Sequence, residues 1–447
     1  MLMYFKIGNF LSFSEPQILN MEAGKYRNFS ERIYKDNNCK LLKFKSIYGA
    51  NASGKSSLIS AFGWFQSFVV SGFNRGSYQL YCKLNESYKE QPSSFEIKIK
   101  IEDKFFVYGF EAILNSASVV NEYLYEELKN GTAKYVFKRE PTKGKFSIGT
   151  YINVSSIIDR INIYGEDIKN DDSVLFLKLM NQNKDALYKK NNRLSVFKNV
   201  FNWIRYTLDV NSTESTITNY SFFTNKEYLD LIVEKLNHFG LGIERFCVTD
   251  ISEEKLTSEL PKDFLSDVKD ELLTQVLNVD VSEKNNLSIL LRSKANIFII
   301  SIKDDGSFSY QTIELKHKNS PATFSLHEES DGTIRLLDII EILLSQNKDK
   351  VYILDELNRT FHPLLTLRFV EDFLELAKEN NTQLIVTTHE SQLMDLKQLR
   401  KDEIGFVNKT SDGCSNIYSL GEYDIRFDKI AVTEYFKGKF DAVPVFD

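Results

Sequence analysis

Gly49-Ala-Asn-Ala-Ser-Gly54-Lys55-Ser56 narrows what this chain can fold into more than any other stretch, because it fits G-x-x-x-x-G-K-[ST]. At ordinary residue frequencies, a chain of 447 residues matches four such fixed positions by chance only about one or two times in a hundred. Before the loop, Phe44-Lys45-Ser46-Ile47-Tyr48 alternates apolar and polar residues, which predicts a half-buried strand. After it, Leu58, Ile59, Phe62 and Phe65 recur at helical spacing. A strand, a glycine loop and a helix in succession curl the backbone so that amide N–H groups and the helix N-terminus point at one anion. An ordinary Gly-Ser turn capping a helix is the alternative, and the flanking pattern disfavours it. Gly49, Ala50, Asn51, Ala52, Ser53, Gly54, Lys55, Ser56 and Ser57 are the predicted phosphate cradle. Lys55 would reach the β/γ-phosphates of ATP, and the Ser56 hydroxyl would take Mg²⁺.

A phosphate loop of this kind needs a carboxylate for the metal and a means of activating water. Val351-Tyr-Ile-Leu354 reads as a buried strand ending in Asp355-Glu356, a Walker B element. Asp355 would hold the metal through its shell, and Glu356, beyond the strand end, would polarise the attacking water. A second buried strand, Gln383 to Thr388, ends in His389, placed to contact the γ-phosphate. A lone histidine is more often structural; its position after the last core strand reverses that preference. Glu328-Glu-Ser330-Asp-Gly332-Thr333 precedes an apolar helix, Ile334 to Leu344, and a Ser-x-Gly turn at a helix N-terminus is a second anion site. The two helix ends are far apart in sequence and can meet if two molecules pair head to tail.

The net charge of −6 and pI near 5.7 argue against a broad nucleic-acid-binding surface, although a local basic groove could sit within that total. With 42% hydrophobic residues, the chain can bury a large core and is expected to form more than one lobe. No apolar run approaches a bilayer span and the start lacks a secretory pattern, so a cytoplasmic protein is expected, without membrane contact. Cys39, Cys82, Cys247 and Cys414 are isolated and read as reduced thiols. Residues 1–150 carry the glycine loop and then antiparallel strand signals from Ser94 to Glu140 around an Asn130-Gly131 turn. The first forty residues read as edge strands. Residues 151–295 are mostly helical, interrupted by a strand at Phe246 to Thr249, and 296–447 alternate hairpin, helices and strands.

In order, these motifs are similar to those of ABC-type ATPases of the SMC and OLD branch. "IYGANASGKSSL", "EESDGTIRLLDI", "YILDELNRTFHPLLT", "TTHESQLMD" and "RKDEIGFV" resemble, more closely, bacterial AAA-family ATP-binding proteins of phage-defence operons, the RloA, AbiL and AriA (PARIS) type. The resemblance covers the two ends of the chain, not the middle. It implies an α/β fold: an ABC-type P-loop core, an antiparallel β lobe and a mostly helical insertion. It further implies a homodimer or higher homo-oligomer in which Ser330 and Gly332 bind the γ-phosphate of the partner's ATP and Asn358 to His362 form the loop between sites. Asp331 stands where transporters carry glycine and reads as a helix cap; Asn358 stands where aspartate is expected. The biological role implied is an ATP-hydrolysing sensor and scaffold of an abortive-infection system. It would control a separately encoded effector, nuclease/TOPRIM-like or RloB-like, and a phage protein or nucleic acid would be the trigger. An SMC-like DNA-repair or DNA-end-binding ATPase is the alternative, which predicts a basic groove and salt-dependent DNA binding.

Overall fold

The computed structural model describes residues 1–184, 188, 194–212, 226–278, 288–293, 296–303, 305–344, 349–423 and 431–443. Its strands are β1 (Leu2–Gly8), β2 (Gln17–Asn20), β3 (Tyr34–Lys35), β4 (Lys40–Leu41), β5 (Phe44–Tyr48), β6 (Ser93–Ile101), β7 (Lys104–Ile113), β8 (Ser118–Glu127), β9 (Ala133–Glu140), β10 (Lys145–Ile148), β11 (Leu208–Asn211), β12 (Ile243–Asp250), β13 (Ser288–Arg292), β14 (Ile297–Ile302), β15 (Phe308–His317), β16 (Thr323–Phe324), β17 (Val351–Leu354), β18 (Gln383–Thr387), β19 (Ile404–Lys409) and β20 (Ser415–Ser419). The chain divides into two compact units. One is Met1–Ser215 with Ser345–Arg359 and Thr366–Asp447; the other is Thr216–Leu344 with Thr360–Leu365.

The first unit holds a six-stranded sheet in the order β11-β17-β18-β5-β19-β20, parallel throughout except for the β19–β20 hairpin. Every residue of β5, β17 and β18 is buried, as expected of central parallel strands covered on both faces. The half-buried strand expected at Phe44 to Tyr48 is therefore corrected. Its polar members find partners inside: Lys45 Nζ donates to Asn20 O and Asp402 O, each at 3.0 Å.

A seven-stranded antiparallel sheet, β10-β9-β8-β7-β6-β1-β2, belongs to the same unit. The expectation of edge strands in the first forty residues holds for β2 and fails for β1, which pairs on both sides with β2 and β6. The glycine-loop helix α1 (Lys55–Ser71) lies between the two sheets. Leu58, Ile59, Phe62 and Phe65 are at most 1% exposed, in one core cluster with Phe5, Phe95 and Phe110 of the lobe and Ile47, Val351, Ile353 and Ile385 of the core sheet. The Phe62 ring stacks on Phe5 with centroids 3.9 Å apart, so truncating it to Ala would cost about 3–5 kcal/mol. Gln383, fully buried, accepts from Leu2 N and donates to Leu2 O and Leu42 O, joining β18 to β1.

The start of the predicted insertion stays with this unit because of a buried ion pair. Glu122 and Arg139 are both fully buried and 3.5 Å apart. Glu122 accepts from Tyr108 Oη and from the amides of Phe176 and Leu177, at the first turn of the helix Phe176–Met180. Arg139 donates to the carbonyls of Val174, Ile168 and Asp171. Charges this deep persist only when paired and hydrogen-bonded. Further along, helix Ser195–Asn202 runs into a π-helical turn, Trp203–Thr207, and then into β11, a strand absent from the sequence-based expectation.

The second unit is built on the sheet β12-β15-β14-β13, with β16 paired to β15. Its own small core sets Leu256, Leu265, Val268 and Leu272 of the helices Glu253–Glu259 and Lys262–Asn278 against Phe298 and Ile300 of β14. The helix expected over Ile334 to Leu344 begins at Asp331, ends at Ile339 and tightens into a 3₁₀ turn, Ile340–Leu343.

Candidate functional site

Because β17, β18 and β5 are adjacent and parallel, their C-terminal ends open on the same edge of the core sheet, where open α/β sheets take their ligands. Tyr48 leads from β5 into the glycine loop, Leu354 leads into Asp355-Glu356, and Thr387 leads into Thr388-His389. The loop is shaped by two glycines with no room for a side chain. A Cβ on Gly49 would collide with Val407 O and Ser53 Oγ; one on Gly54, whose φ is +114°, would collide with Ser415 Oγ and Ser12 Oγ. Ser415 Oγ donates to Ser53 O at 2.6 Å and Ser415 N donates to Ser12 O at 2.8 Å, so the loop is braced from β20 and from the turn after β1. Among the described residues no side chain caps the N-terminus of α1, and its first turn holds no acidic residue. That leaves the helix end suited to an anion.

Lys55, 6% exposed, is folded back under this loop and donates to Gly49 O at 2.9 Å and Ala50 O at 3.0 Å. Burial lowers its pKa from the ordinary lysine value, while Asp355 and then Glu356 pull the other way. Asp355 is buried, and Thr387 Oγ1 donates to its Oδ1 at 2.6 Å while accepting from Glu356 N at 2.8 Å. One threonine thus sets the carboxylate and the turn beyond it. Glu356 sits in the left-handed region at φ +50°, uncommon for a residue with a side chain and characteristic of constrained functional turns. His389 is surface-exposed, and its pKa is shifted down, first by partial desolvation and then by Lys55, against the pull of Glu356 and Asp355. It is therefore neutral near pH 7. Asn358 Oδ1 accepts from Thr388 Oγ1 at 3.0 Å and from His389 N at 3.1 Å, holding the histidine's backbone.

Lys55, Asp355, Glu356 and His389 thus act electrostatically on one another across three strand ends. Ser56 is exposed at the start of α1, as are Asn51 and Ala52, and Ser57 is half-buried. The group fits a magnesium-bound triphosphate: a glycine cradle that a Cβ would fill, an uncapped helix end, an ammonium, and hard oxygen donors in Ser56 and Asp355. Ser330 and Gly332 belong to the other unit. Ser330 is the N-cap of the helix Asp331–Ile339, its Oγ accepting from Thr333 N at 3.1 Å. The cap expected at Asp331 is corrected: Ser330 has the extended backbone that a cap requires, and Asp331 is already the first helical residue. Gly332 packs close to Thr360 O, which a Cβ would approach to 3.2 Å.

Sequence reasoning missed Thr387, Ser415 and the service done by Asn358. The doubled threonine ahead of His389 was the available signal for the first. Ser415 is 362 residues from Ser53 and nothing local marks it.

The family model described as "AAA domain, putative AbiEii toxin, Type IV TA system" matches residues 46–149 and 224–395, more than half of the chain. No curated protein matches the sequence. Among solved structures, the chain is similar to an SMC head bound to the C-winged helix domain of ScpA (15% identity, 94% of this chain and 97% of that one, TM-score 0.39). It is also similar to the SMC head domain from Thermotoga maritima (14%, 94% and 98%, TM-score 0.34). A third is the Smc head with an extended coiled coil bound to the C-terminal domain of ScpA from Pyrococcus furiosus (16%, 94% and 96%, TM-score 0.40).

Proposed function

The chain belongs to the AAA-domain family of P-loop ATPases, and from that membership we propose that it hydrolyses ATP and uses the cycle to hold or release a separately encoded effector in an abortive-infection defence system. One observation carries the hydrolytic half: the ends of β5, β17 and β18 deliver Lys55, the pair Asp355-Glu356 and His389 to one sheet edge within mutual electrostatic reach.

The chemistry is phosphoryl transfer to water: an O–P bond forms from water to the γ-phosphorus, and the bond to the β-phosphate oxygen breaks with ADP leaving. The loop amides and the end of α1 hold the phosphates, and Lys55 offers a poorly hydrated positive charge at the β/γ position. Mg²⁺, when bound, would sit on Ser56 and Asp355 and offset charge on the phosphate oxygens. Glu356 orients the water and draws on its proton; neutral His389 can hydrogen-bond the γ-phosphate without adding charge. Ser330 and Gly332 complete the site of a second copy, so that ATP closes a homo-oligomer.

The biological half rests on the motif resemblance and on the toxin–antitoxin wording of the family description. No helix among the described residues is long and apolar enough to cross a membrane. The test is Glu356→Gln. ATP should bind and persist with turnover reduced by orders of magnitude, and the product of the neighbouring gene should co-purify differently with the variant and with nucleotide-free protein. Wild-type turnover by Glu356→Gln would remove Glu356 from its role. Identical co-purification in both states would remove the effector reading.

A further inference from the structure

Strand β11 enters the edge of the core sheet from the insertion, parallel to β17 with Leu208 opposite Val351 and Asn211 opposite Leu354. Its last residue does more than extend the sheet. Asn211, fully buried, accepts from the amide of Asp355 at 3.0 Å, so the backbone of the metal carboxylate is fixed by the end of β11 on one side as its side chain is fixed by Thr387 on the other.

Besides its ladder to β17, β11 is tied to α1 by one side chain. The π-helical turn Trp203–Thr207 that feeds the strand leaves helix-end carbonyls in need of donors. Gln66 Nε2 donates to one of them, Ile204 O at 2.8 Å, and to Leu208 O at the start of β11 at 2.6 Å, using both of its protons. One turn earlier on α1, Gly63 faces the same strand: a Cβ there would rest 3.7 Å from Val210 Cγ1, ordinary contact. Gln66 stands on the helix that begins at Lys55 and Ser56. An unbroken chain of contacts therefore runs from the phosphate-loop helix through Gln66 and β11 to Asp355.

We propose that Gln66 is a positioning residue for the metal site, latching β11 so that Asn211 O sets Asp355. The inference rests on the nucleotide reading above and deepens it, for it makes a strand of the insertion part of the Mg²⁺ site. Gln66→Leu keeps the bulk and removes both donors. Lys can replace them, as Lys43 Nζ already serves two carbonyls here, Ala377 O and Asn380 O.

The test uses the full chain. Gln66→Leu should weaken Mn²⁺ binding to the nucleotide complex, read by electron paramagnetic resonance, about ten-fold, the usual effect of losing a partner behind a metal ligand. Nucleotide affinity in EDTA should not change. Amide exchange over 208–212 and 350–358 should rise, and Gln66→Lys should restore both readouts. Unchanged Mn²⁺ affinity with unchanged exchange would overturn the latch; raised exchange with unchanged Mn²⁺ affinity would overturn positioning as its role. A wild-type chain that binds no nucleotide would overturn the parent reading, and the exchange comparison would still decide the latch. Should Gln66→Leu not fold, Gln66→Met, of equal length and also without donors, carries the same comparison.

Discussion

Lys55 illustrates how much of the proposed chemistry is decided by single side chains. Its ammonium is buried against two carbonyls and beside two carboxylates, so its charge is costly to hold and correspondingly strong toward a phosphate. Lys55→Ala should lower ATP affinity by at least about ten-fold, through the loss of a charge-assisted contact, while near-ultraviolet circular dichroism stays native. Titration with labelled ATP measures this, and unchanged affinity would remove the loop assignment. Glu403 makes a separate point about stability. Burial pushes its carboxyl up to about 7, against the pull of Arg32, Arg400 N and the Arg400 guanidinium. The folded state therefore binds a proton that the unfolded chain releases near the ordinary value of 4.5. Its stabilising contribution is complete below pH 4.5 and is lost as pH rises through 7. Glu403→Gln keeps an oxygen to accept from Arg400 N and removes the titration. Urea midpoints between pH 4.5 and 7 should flatten relative to wild type, by about 3 kcal/mol across the window for a shift of this size; parallel curves would refute the assignment.

At the scale of elements, the parts readable in sequence are those whose cause is local. The glycine loop, the apolar stripe of α1 and the Asn130-Gly131 hairpin follow from periodicity and turn chemistry, and each is where the pattern predicted. What escaped depends on neighbours distant in the chain. β5 looks amphipathic because Lys45 and Ser46 interrupt it, yet both are buried, since partners from β2 and from the residues before β19 satisfy them. β11 is four residues long and lies outside any strand pattern until β17 gives it a ladder. Asn358, read as a departure from an expected aspartate, turns out to be an acceptor for two donors, and an aspartate would accept from the same pair. Asn358→Asp should therefore keep hydrolysis within a few-fold of wild type. Asn358→Leu leaves Thr388 Oγ1 and His389 N without that partner, and it should cut turnover about ten-fold or more, the scale of a lost positioning contact. Steady-state phosphate release on the two variants is the measurement, and equal rates for both would remove Asn358 from the support of His389.

For the whole molecule, the question is whether one chain contains a complete site. Lys55, Asp355, Glu356 and His389 belong to one unit, whereas Ser330 and Gly332 belong to the other, at the start of a helix capped by Ser330 itself. On the proposed reading the second set serves another copy, which a mixing experiment can separate from a purely local role. Ser330→Arg places bulk and charge at the helix end and should abolish hydrolysis while ATP still binds. Part of that effect could come from the lost cap, worth about 1 kcal/mol, so Ser330→Asp, which preserves an N-cap but sets a carboxylate near phosphate, is the companion variant. It should also be inactive, with thermal stability close to wild type. Lys55→Ala protein is inactive for a different reason, having an intact Ser330 but no lysine at its own loop. Mixed dimers of Ser330→Arg and Lys55→Ala contain one doubly damaged composite site and one intact one, so hydrolysis should return to as much as half the wild-type rate per dimer if the sites fire independently. Differently tagged chains, purified sequentially to isolate the mixed species, make the comparison clean. No recovery in isolated mixed dimers would mean that both motifs act within one chain, and Ser330 and Gly332 would then serve the nucleotide of their own chain rather than that of a second copy.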